Sequence, residues 1–238
     1  MSNDAPILSA RNVSKTYRTG SVDVAALRAI DLDINAGDFV TVMGPSGNGK
    51  TTLLNCLSGL DDIDDGTVLI DGADIHRLSD AKRTRHRAER MGFIFQSFNL
   101  IPVLSARENV EIPLGIIGRS SRKARAAAAD MLERVGLSSR IDHLPTQLSG
   151  GEQQRVAIAR ALVTQPAIIW ADEPTGNLDS ETAEGVIALL KAVNESGQTV
   201  VMVTHDRTLG AMGNRLVQVR DGRVTYSDNP TELLETVR

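Results

Sequence analysis

The stretch that most constrains this chain is the glycine-rich segment at residues 44–51, GPSGNGKT. It has the form G-x-x-x-x-G-K-[ST], follows an apolar run of β-favouring residues at 39–43 and precedes a helical pattern at 52–57. A strand, a glycine turn and a helix in this order aim several backbone N–H groups at one anion. A glycine turn beside a surface lysine is the other interpretation, which the flanking strand and helix disfavour. The segment therefore predicts a nucleoside triphosphate site.

Two side chains at the end of this phosphate loop (residues 44–51) suit a triphosphate. Lys50 supplies a positive charge for the outer phosphates, and the Thr51 hydroxyl is a hard oxygen ligand for Mg²⁺. The residues expected to contact the nucleotide here are Gly44, Pro45, Ser46, Gly47, Asn48, Gly49, Lys50, Thr51 and Thr52.

The composition disfavours a nucleic-acid partner. The chain has 238 residues, 41% of them hydrophobic and 24% charged, as in an ordinary globular protein, and its net charge is −4. A protein that binds duplex nucleic acid by neutralising phosphates is usually basic. Residues 80–90 are strongly basic, but no aromatic residues are interleaved with the charges, so we interpret them as the solvated face of a helix.

Cysteine content and apolar runs bear on the cellular compartment. The single cysteine, Cys56, cannot form an intrachain disulfide, and we expect it to be buried in the helix after the phosphate loop. The N-terminal stretch lacks a signal-peptide pattern, and no apolar run reaches the roughly 20 residues of a membrane helix. We therefore expect a cytoplasmic chain that works at a membrane only through a partner.

Apolar patterns predict an α/β fold with two kinds of strand. Partial alternation at 7–17 and 24–34 predicts strands of an antiparallel subdomain, whereas the continuous apolar run at 199–204 is typical of a buried parallel strand. The segment from about 97 to 162 is helical in pattern and predicts an insertion into the core. Other predicted elements are strands at 67–70 and 91–95, helices at 104–114, 122–135, 180–193 and 229–238, and a hairpin at 216–219 and 224–226.

Two further segments carry polar groups suited to phosphate chemistry. The segment LSGGEQQR at 148–155 opens a helix that runs to about residue 162; Ser149 can cap it, and Gly150 and Gly151 leave its first N–H groups unobstructed. An apolar strand at 167–171 is followed by Asp172 and Glu173. A carboxylate at the end of such a strand suits Mg²⁺, and its neighbour could take a proton from an attacking water. An ordinary helix cap and a solvated turn are the alternatives.

Two single residues allow two interpretations each. Tyr17 could stack on a nucleotide base, or it could be a half-buried tyrosine of a strand. His205 follows the strand at 199–204 and could bind a γ-phosphate, or it could have a structural role.

The phosphate loop, LSGGEQQR and the strand ending in Asp172-Glu173 occur in an order that resembles the ATP-binding-cassette (ABC) ATPases along nearly the whole chain. The resemblance implies a P-loop NTPase of ABC type, with a mainly parallel core sheet, an antiparallel β subdomain and a helical insertion. It implies one domain over residues 1–238, with the helical subdomain at about 97–162 inserted in a RecA-like core. It also implies ATP and Mg²⁺ as cofactors.

The resemblance also implies roles for individual residues. Tyr17 would stack on adenine, Gln96 would sense Mg²⁺ and the attacking water, and His205 would hold the γ-phosphate. Glu173 would be the general base. Residues implied to hold Mg²⁺ are Thr51, Gln96 and Asp172; residues implied to contact ATP from a second, head-to-tail copy are Ser149, Gly150, Gly151, Glu152 and Asp179.

Within the family, the segments 59–72, 93–114 and 171–180 resemble the ATPases of lipoprotein release, macrolide-type efflux and cell-division permeases. The implied partner is a separate integral-membrane permease, which would hold the chain at the cytoplasmic face of the membrane. Three functions remain open: a transport motor, an ATPase that regulates cell-wall remodelling through a permease without transport, and a soluble ABC ATPase acting on DNA or ribosomes. The third usually has two cassettes or a long insertion, which this chain lacks.

Overall fold

The structure is a computed structural model that describes residues 5–20 and 22–236. Its strands are β1 (Leu8–Thr19), β2 (Val22–Ile34), β3 (Phe39–Met43), β4 (Asp65–Ile70), β5 (Ala73–Asp74), β6 (Met91–Phe95), β7 (Ile168–Asp172), β8 (Thr199–Val203), β9 (Arg215–Arg220) and β10 (Arg223–Ser227). Its α-helices are α1 (Lys50–Leu57), α2 (Asp80–Arg90), α3 (Ala106–Ile116), α4 (Ser121–Arg134), α5 (Gly150–Leu162), α6 (Ser180–Glu195), α7 (Arg207–Gly210) and α8 (Pro230–Thr236). The chain divides into two compact units: unit 1 is residues 1–83 with 199–238, and unit 2 is residues 84–198.

Unit 1 contains an antiparallel sheet with the strand order β2-β1-β4-β5. The β1–β2 pair is long and irregular, with register shifts between Ala10 and Thr16. Leu8, Ala10 and Val13 are buried along β1, while Ser9, Arg11 and Asn12 are not. The predicted antiparallel subdomain is confirmed.

The second sheet of unit 1 places the phosphate loop. Strand β3 pairs in parallel with β8 on one side and with β9 on the other, and β10 closes the hairpin with β9. All five residues of β3 and all five of β8 are buried, which explains their continuous apolar sequences. The predicted parallel strands and terminal hairpin are therefore confirmed.

The predicted burial of Cys56 is also confirmed, and the basic segment is helical as predicted. Cys56 is buried in α1, and burial raises its pKa to about 12, so this thiol stays protonated and unreactive at neutral pH. Helix α2 covers the basic segment, and Ala88 is its buried residue. The basic face of α2 is only partly solvated, since Arg83, Arg87 and Arg90 are half-buried. Ion pairs with Asp62 and Asp80 hold the Arg83 guanidinium.

Unit 2 combines the parallel pair β6–β7 with the helices α3 to α6 and residues 84–90 of α2. Helix α5 packs on β6 and also contacts α3, α4 and α6. Strand β7 carries Ile168, Ile169 and Trp170 into the interior, each at most 1% exposed. The predicted helical segment at about 97–162 lies within this unit.

Several element boundaries differ from the sequence prediction. Helix α3 begins at Ala106 and not at 104, because Ser105 caps it in a reciprocal box with Glu108. Strand β4 begins at Asp65, two residues before its predicted start, and the four-residue helix α7 was not predicted. The C-terminal helix was predicted over 229–238; α8 covers Pro230–Thr236, and residues 237–238 lie outside the described part of the chain.

Candidate active site

The phosphate loop leaves the carboxyl end of β3 and is pressed against the β9–β10 hairpin. Gly44 has φ 152°, and a Cβ at this position would lie 2.1 Å from the carbonyl oxygen of Val219. Only glycine fits this close approach. The first glycine of the motif is thus required by packing inside unit 1 as well as by the shape of the loop.

Lys50 folds back over the loop. Its Nζ donates hydrogen bonds to the carbonyl oxygens of Gly44, at 2.8 Å, and Pro45, at 3.0 Å. The ammonium is therefore positioned by the loop backbone. The role predicted for Lys50 stays a prediction.

Helix α1 starts directly from the loop. Gly49, in a left-handed conformation, precedes it with no side-chain cap, and no acidic residue lies in the first turn. Unsatisfied N–H groups at a helix N-terminus, with no competing carboxylate, suit a phosphate. In that turn Thr51 is exposed and Thr52 is half-buried.

Asn48 has a structural role that the sequence analysis did not predict. Its Nδ2 donates to the carbonyl oxygen of Ser46 at 3.2 Å, and its Oδ1 accepts from the backbone N–H of Asp221 at 2.9 Å. The side chain therefore ties the phosphate loop to the tip of the β9–β10 hairpin. The partners lie 173 residues apart in sequence, so no local pattern indicates this bond.

His205 lies next to the phosphate loop because β3 and β8 are parallel neighbours. The backbone N–H of Thr204 donates to the carbonyl oxygen of Val42 at 3.1 Å, which aligns the ends of the two strands. A cavity of about 180 Å³ is lined by Met43, Gly44, Pro45, His205, Arg207, Leu216, Gln218 and Leu233. The exposed His205 is thus on the same edge as the loop, as its predicted role requires.

Tyr17 lies on β1 with 38% of its surface exposed. Its hydroxyl donates to Asp61 Oδ2 at 2.6 Å, and the Lys15 ammonium lies 5.2 Å from the ring centroid. Burial, followed by the bond to Asp61, raises the pKa of Tyr17. The ring is held in place at its hydroxyl end, which suits stacking on a base as well as a structural strand tyrosine.

In unit 2 the predicted Gln96, Asp172 and Glu173 lie together at one edge of the β6–β7 pair. Phe95 and Asp172 are register partners, so Gln96 and Glu173 follow at the same level. Carboxyl ends of parallel strands are the usual place for such groups. Glu173 has φ 48°, a left-handed conformation that is uncommon for a side chain of this size and is enriched at functional sites.

Hydrogen bonds from two amide side chains hold this edge together, and these bonds were not predicted. Asn177 Nδ2 donates to the Gln96 carbonyl oxygen at 3.1 Å, and Gln96 Nε2 donates to Asn177 Oδ1 at 3.2 Å. Gln154, fully buried on α5, donates to the carbonyl oxygens of Phe95 and Pro174. Buried N–H donors usually find acceptors in this way, but single-sequence patterns do not identify those acceptors.

The start of α5 is capped as predicted. Ser149 Oγ accepts from the Glu152 N–H at 3.2 Å, and Glu152 accepts from the Ser149 N–H at 2.8 Å and from Arg140 Nε at 2.9 Å. The Ser149 N–H and the guanidinium hold the pKa of Glu152 below its usual range. The Glu152 carboxylate thus supports the helix cap, and its predicted contact with ATP stays a prediction. A Cβ on Gly151 would lie 2.3 Å from Thr182 Cγ2, so this glycine allows α5 to approach α6.

Asp179 is the N-cap of α6. It accepts from the Thr182 backbone N–H at 3.0 Å and from the Thr182 hydroxyl at 2.7 Å, and these bonds, the backbone one first, lower the pKa of the carboxyl. Its predicted role at a contact with a second copy stays a prediction.

Residues 27–176 match the family model described as "ABC transporter". This chain belongs to the ABC transporter family. Membership in this family makes it an ATP-binding cassette that hydrolyses ATP. Within residues 5–20 and 22–236, none of its helices combines the length and apolar character that crossing a membrane requires.

Relatives of this ABC cassette include proteins of very different length. It is 46% identical over 230 residues to the lipoprotein-releasing system ATP-binding protein LolD of Colwellia psychrerythraea, covering 96% of this chain and 89% of that protein. It is 47% identical over 219 residues to the macrolide export ATP-binding/permease protein MacB of Syntrophobacter fumaroxidans, covering 91% of this chain. The chain spans only 31% of the length of that MacB protein.

Among solved structures, the cassette is similar to MJ0796, an ABC transporter ATP-binding protein of Methanocaldococcus jannaschii. The TM-score is 0.85 at 46% identity, and the match covers 92% of this chain and 97% of that one. One structure of MJ0796 is described as dimeric, and another as a dimeric post-hydrolysis state bound to ADP and Pi.

Proposed function

We propose that two copies of this cassette pack head to tail around two ATP molecules and drive a separate integral-membrane permease from the cytoplasmic face of the membrane. The proposal rests on two anion-binding helix starts, α1 in unit 1 and the capped α5 in unit 2, and on the family resemblance, which assigns them to different copies. The similarity to the dimeric MJ0796 cassette supports a second copy as the source of the other half of each site.

In this proposal the phosphates are held by dipoles and charges that are already in place. Lys50 and the N-terminus of α1 bind the β- and γ-phosphates, while Ser149, Gly150 and Gly151 of the second copy bind the γ-phosphate from the other side. Tyr17 stacks on adenine. Asp179 aligns the two copies, and Glu152 keeps the α5 cap in shape.

The proposed site also takes a magnesium ion, which the family resemblance assigns to side chains of suitable chemistry. The Thr51 hydroxyl, the Gln96 amide oxygen and the Asp172 carboxylate are oxygen donors of the kind Mg²⁺ prefers. When bound, the ion neutralises charge that develops on the phosphates. The left-handed backbone of Glu173 fits a side chain whose direction matters, since strained conformations persist where function requires them.

For hydrolysis, Glu173 accepts a proton from the attacking water, Gln96 orients that water and His205 binds the γ-phosphate. Positioning and electrostatic stabilisation then account for most of the rate, as in other phosphoryl transfers. Loss of the γ-phosphate removes the ligand that bridges the two copies, and the dimer opens.

The permease docks on the segment after Gln96. Ile101 and Val103 are apolar and exposed there, Val103 to 78%, and such residues favour a protein partner over nucleic acid. The relatives named for lipoprotein release and macrolide export support a machine that extracts or exports a substrate.

A base-disabled variant tests the proposal. Glu173→Gln purified with ATP and Mg²⁺ should elute at twice the mass of the chain in light-scattering chromatography, and Glu173→Gln with Lys50→Ala, which should bind ATP weakly, should stay monomeric. A Glu173→Gln protein that remains monomeric with ATP, even beside its membrane partner, would overturn the proposed dimer. Co-purification of a permease from solubilised membranes tests the partner, and recovery of nucleic acid in its place would contradict it.

A further inference from the structure

The turn that carries Gln96 has an unusual backbone. This Q-loop turn (residues 95–99) ends with Phe98 and Asn99 in left-handed conformations, at φ 60° and φ 50°. Asparagine tolerates this region, but a bulky side chain such as phenylalanine rarely adopts it. Two short backbone bonds close the turn, from Phe98 N–H to the Phe95 carbonyl at 3.1 Å and from Asn99 N–H to the Ser97 carbonyl at 2.6 Å. A strained turn of this kind persists only when its surroundings hold it.

Arg160, near the C-terminal end of α5, holds the carbonyl groups of this turn. Its Nη2 donates to the Phe98 carbonyl oxygen at 2.9 Å, and its Nη1 donates to the Asn99 carbonyl oxygen at 2.6 Å. The two prongs of one guanidinium thus bind the two left-handed residues. The planar fork of arginine suits this arrangement, which the single ammonium of lysine cannot reproduce.

The environment of Arg160 indicates that its role is to make these two hydrogen bonds. Burial lowers the pKa of its guanidinium, and among the described residues it has no carboxylate partner. Arg160 is half-buried, and a partly desolvated cation is stabilised by an anion or by other hydrogen-bond acceptors. Here the carbonyl dipoles of the turn take the place of the anion.

The same helix also contacts the start of the turn. Gln154 Nε2 donates to the Phe95 carbonyl oxygen at 3.4 Å and to the carbonyl of Pro174, the residue after Glu173. Helix α5 therefore holds the turn at both ends, and its N-terminus is the LSGGE segment. Gln96 lies between the two points of attachment.

We propose that Arg160 is a positioning residue for ATP hydrolysis, which holds the Q-loop turn so that Gln96 points in one direction. This inference rests on the role proposed above for Gln96. The competing explanation is a purely structural link, in which Arg160 joins the helix to the loop and supports the stability of unit 2 without acting through Gln96.

The first experiment is amide hydrogen exchange on the full chain. Arg160→Met keeps an unbranched apolar stem but removes the guanidinium and both of its hydrogen bonds. Arg155→Met is the matched control, because Arg155 lies on the same helix and donates to the Val135 carbonyl at 3.2 Å. We expect faster exchange in residues 96–100 of Arg160→Met and not of Arg155→Met, with similar melting temperatures. Unchanged exchange at 96–100 would overturn the proposal whatever the role of Gln96. If Arg160→Met does not fold, Arg160→Lys, which keeps the charge and one donor direction, is measured in its place.

The second experiment is a double-mutant cycle on ATP turnover. Arg160→Met should lower kcat about tenfold and change KM for ATP less than about twofold, because the loss concerns the reaction and not ATP binding. Added to Gln96→Ala, it should lower kcat by no more than about a further twofold, since both changes remove the same contribution. The fold losses in kcat of Arg155→Met and Gln96→Ala should instead multiply.

The outcomes separate the two proposals. If the fold losses in kcat of Arg160→Met and Gln96→Ala multiply, the positioning role is rejected and the purely structural link remains. A Gln96→Ala variant with normal turnover would reject the proposed role of Gln96, and with it the step that this inference assigns to Arg160. Arg160→Lys should recover part of the kcat that Arg160→Met loses. No recovery, together with lower stability, would favour the purely structural link.

Discussion

Asn177 and Gln96 exchange two hydrogen bonds, one from the Asn177 amide to the Gln96 backbone and one from the Gln96 amide back to Asn177 Oδ1. The pair joins the loop after β6 to the loop after β7, so the orientation of Gln96 depends on a residue 81 positions further along the chain. This dependence can be tested directly.

Asn177→Ala should lower ATP turnover about tenfold while changing ATP affinity little, because it releases Gln96 without touching the phosphate loop. Asn177→Asp can still accept from Gln96 Nε2, but it places a carboxylate oxygen against the Gln96 carbonyl oxygen, which repels it. Its turnover should therefore fall at least as far as that of Asn177→Ala. Steady-state kinetics measure turnover, and fluorescent-nucleotide binding measures ATP affinity. A Kd that rises in proportion to the loss of turnover would contradict this account.

Glu173 tests catalysis and backbone strain separately. Glu173→Gln should lower turnover by about 100-fold or more while keeping ATP binding, since general-base catalysis contributes about that much. Unchanged turnover would reject Glu173 as the base.

The left-handed φ of Glu173 predicts an inverted order of stability between two further variants. Glu173→Gly should unfold at higher denaturant than Glu173→Ala, by about 0.5–1 kcal/mol, because glycine adopts positive φ without strain. At an ordinary position alanine would be the more stable of the two. Chemical denaturation of both inactive proteins measures the difference, and a more stable alanine variant would show that the position is not strained.

Asn48→Ala should weaken ATP binding about three- to tenfold, because the phosphate loop loses its bond to the Asp221 N–H. Asp221→Asn is the control, since it keeps that N–H and tolerates the left-handed backbone at φ 50°. Titration with ATP in the absence of hydrolysis compares the ATP affinities of Asn48→Ala and Asp221→Asn. Equal losses in both variants would mean that the hairpin tip acts through the Asp221 side chain.

The cap of α6 predicts a pH dependence. The folded pKa of Asp179 is lowered, so the carboxylate stabilises the fold above its unfolded pKa of about 3.9, and this contribution is lost as the pH falls through the folded value. Asp179→Asn also caps a helix but does not titrate. The stability advantage of the wild type over Asp179→Asn should be present at pH 7 and shrink towards pH 3. Melting temperatures of both proteins across this range test it, and a constant difference would contradict the assigned pKa shift.

Most elements of this fold follow from local sequence patterns. Continuous apolar runs predicted β3 and β8, the phosphate-loop pattern predicted the start of α1, and Ser149 predicted the start of α5. Boundaries were less accurate where a cap decides the first turn, as Ser105 does for α3. The short helix α7 gave no periodic signal over its four residues.

The amino-acid sequence alone was enough to predict the phosphate loop, the LSGGEQQR helix start and the carboxylates after β7, because each depends on neighbours within a few positions. The order of these motifs then predicted the family. Only the tertiary structure identified Asn48, Asn177 and Arg160 as residues that hold the site, since each acts on a backbone group brought close by folding. Strain at Glu173 and Phe98 likewise appears only in the folded chain. A backbone carbonyl or N–H is present at every non-proline position, so a sequence does not show which one a distant side chain will bind.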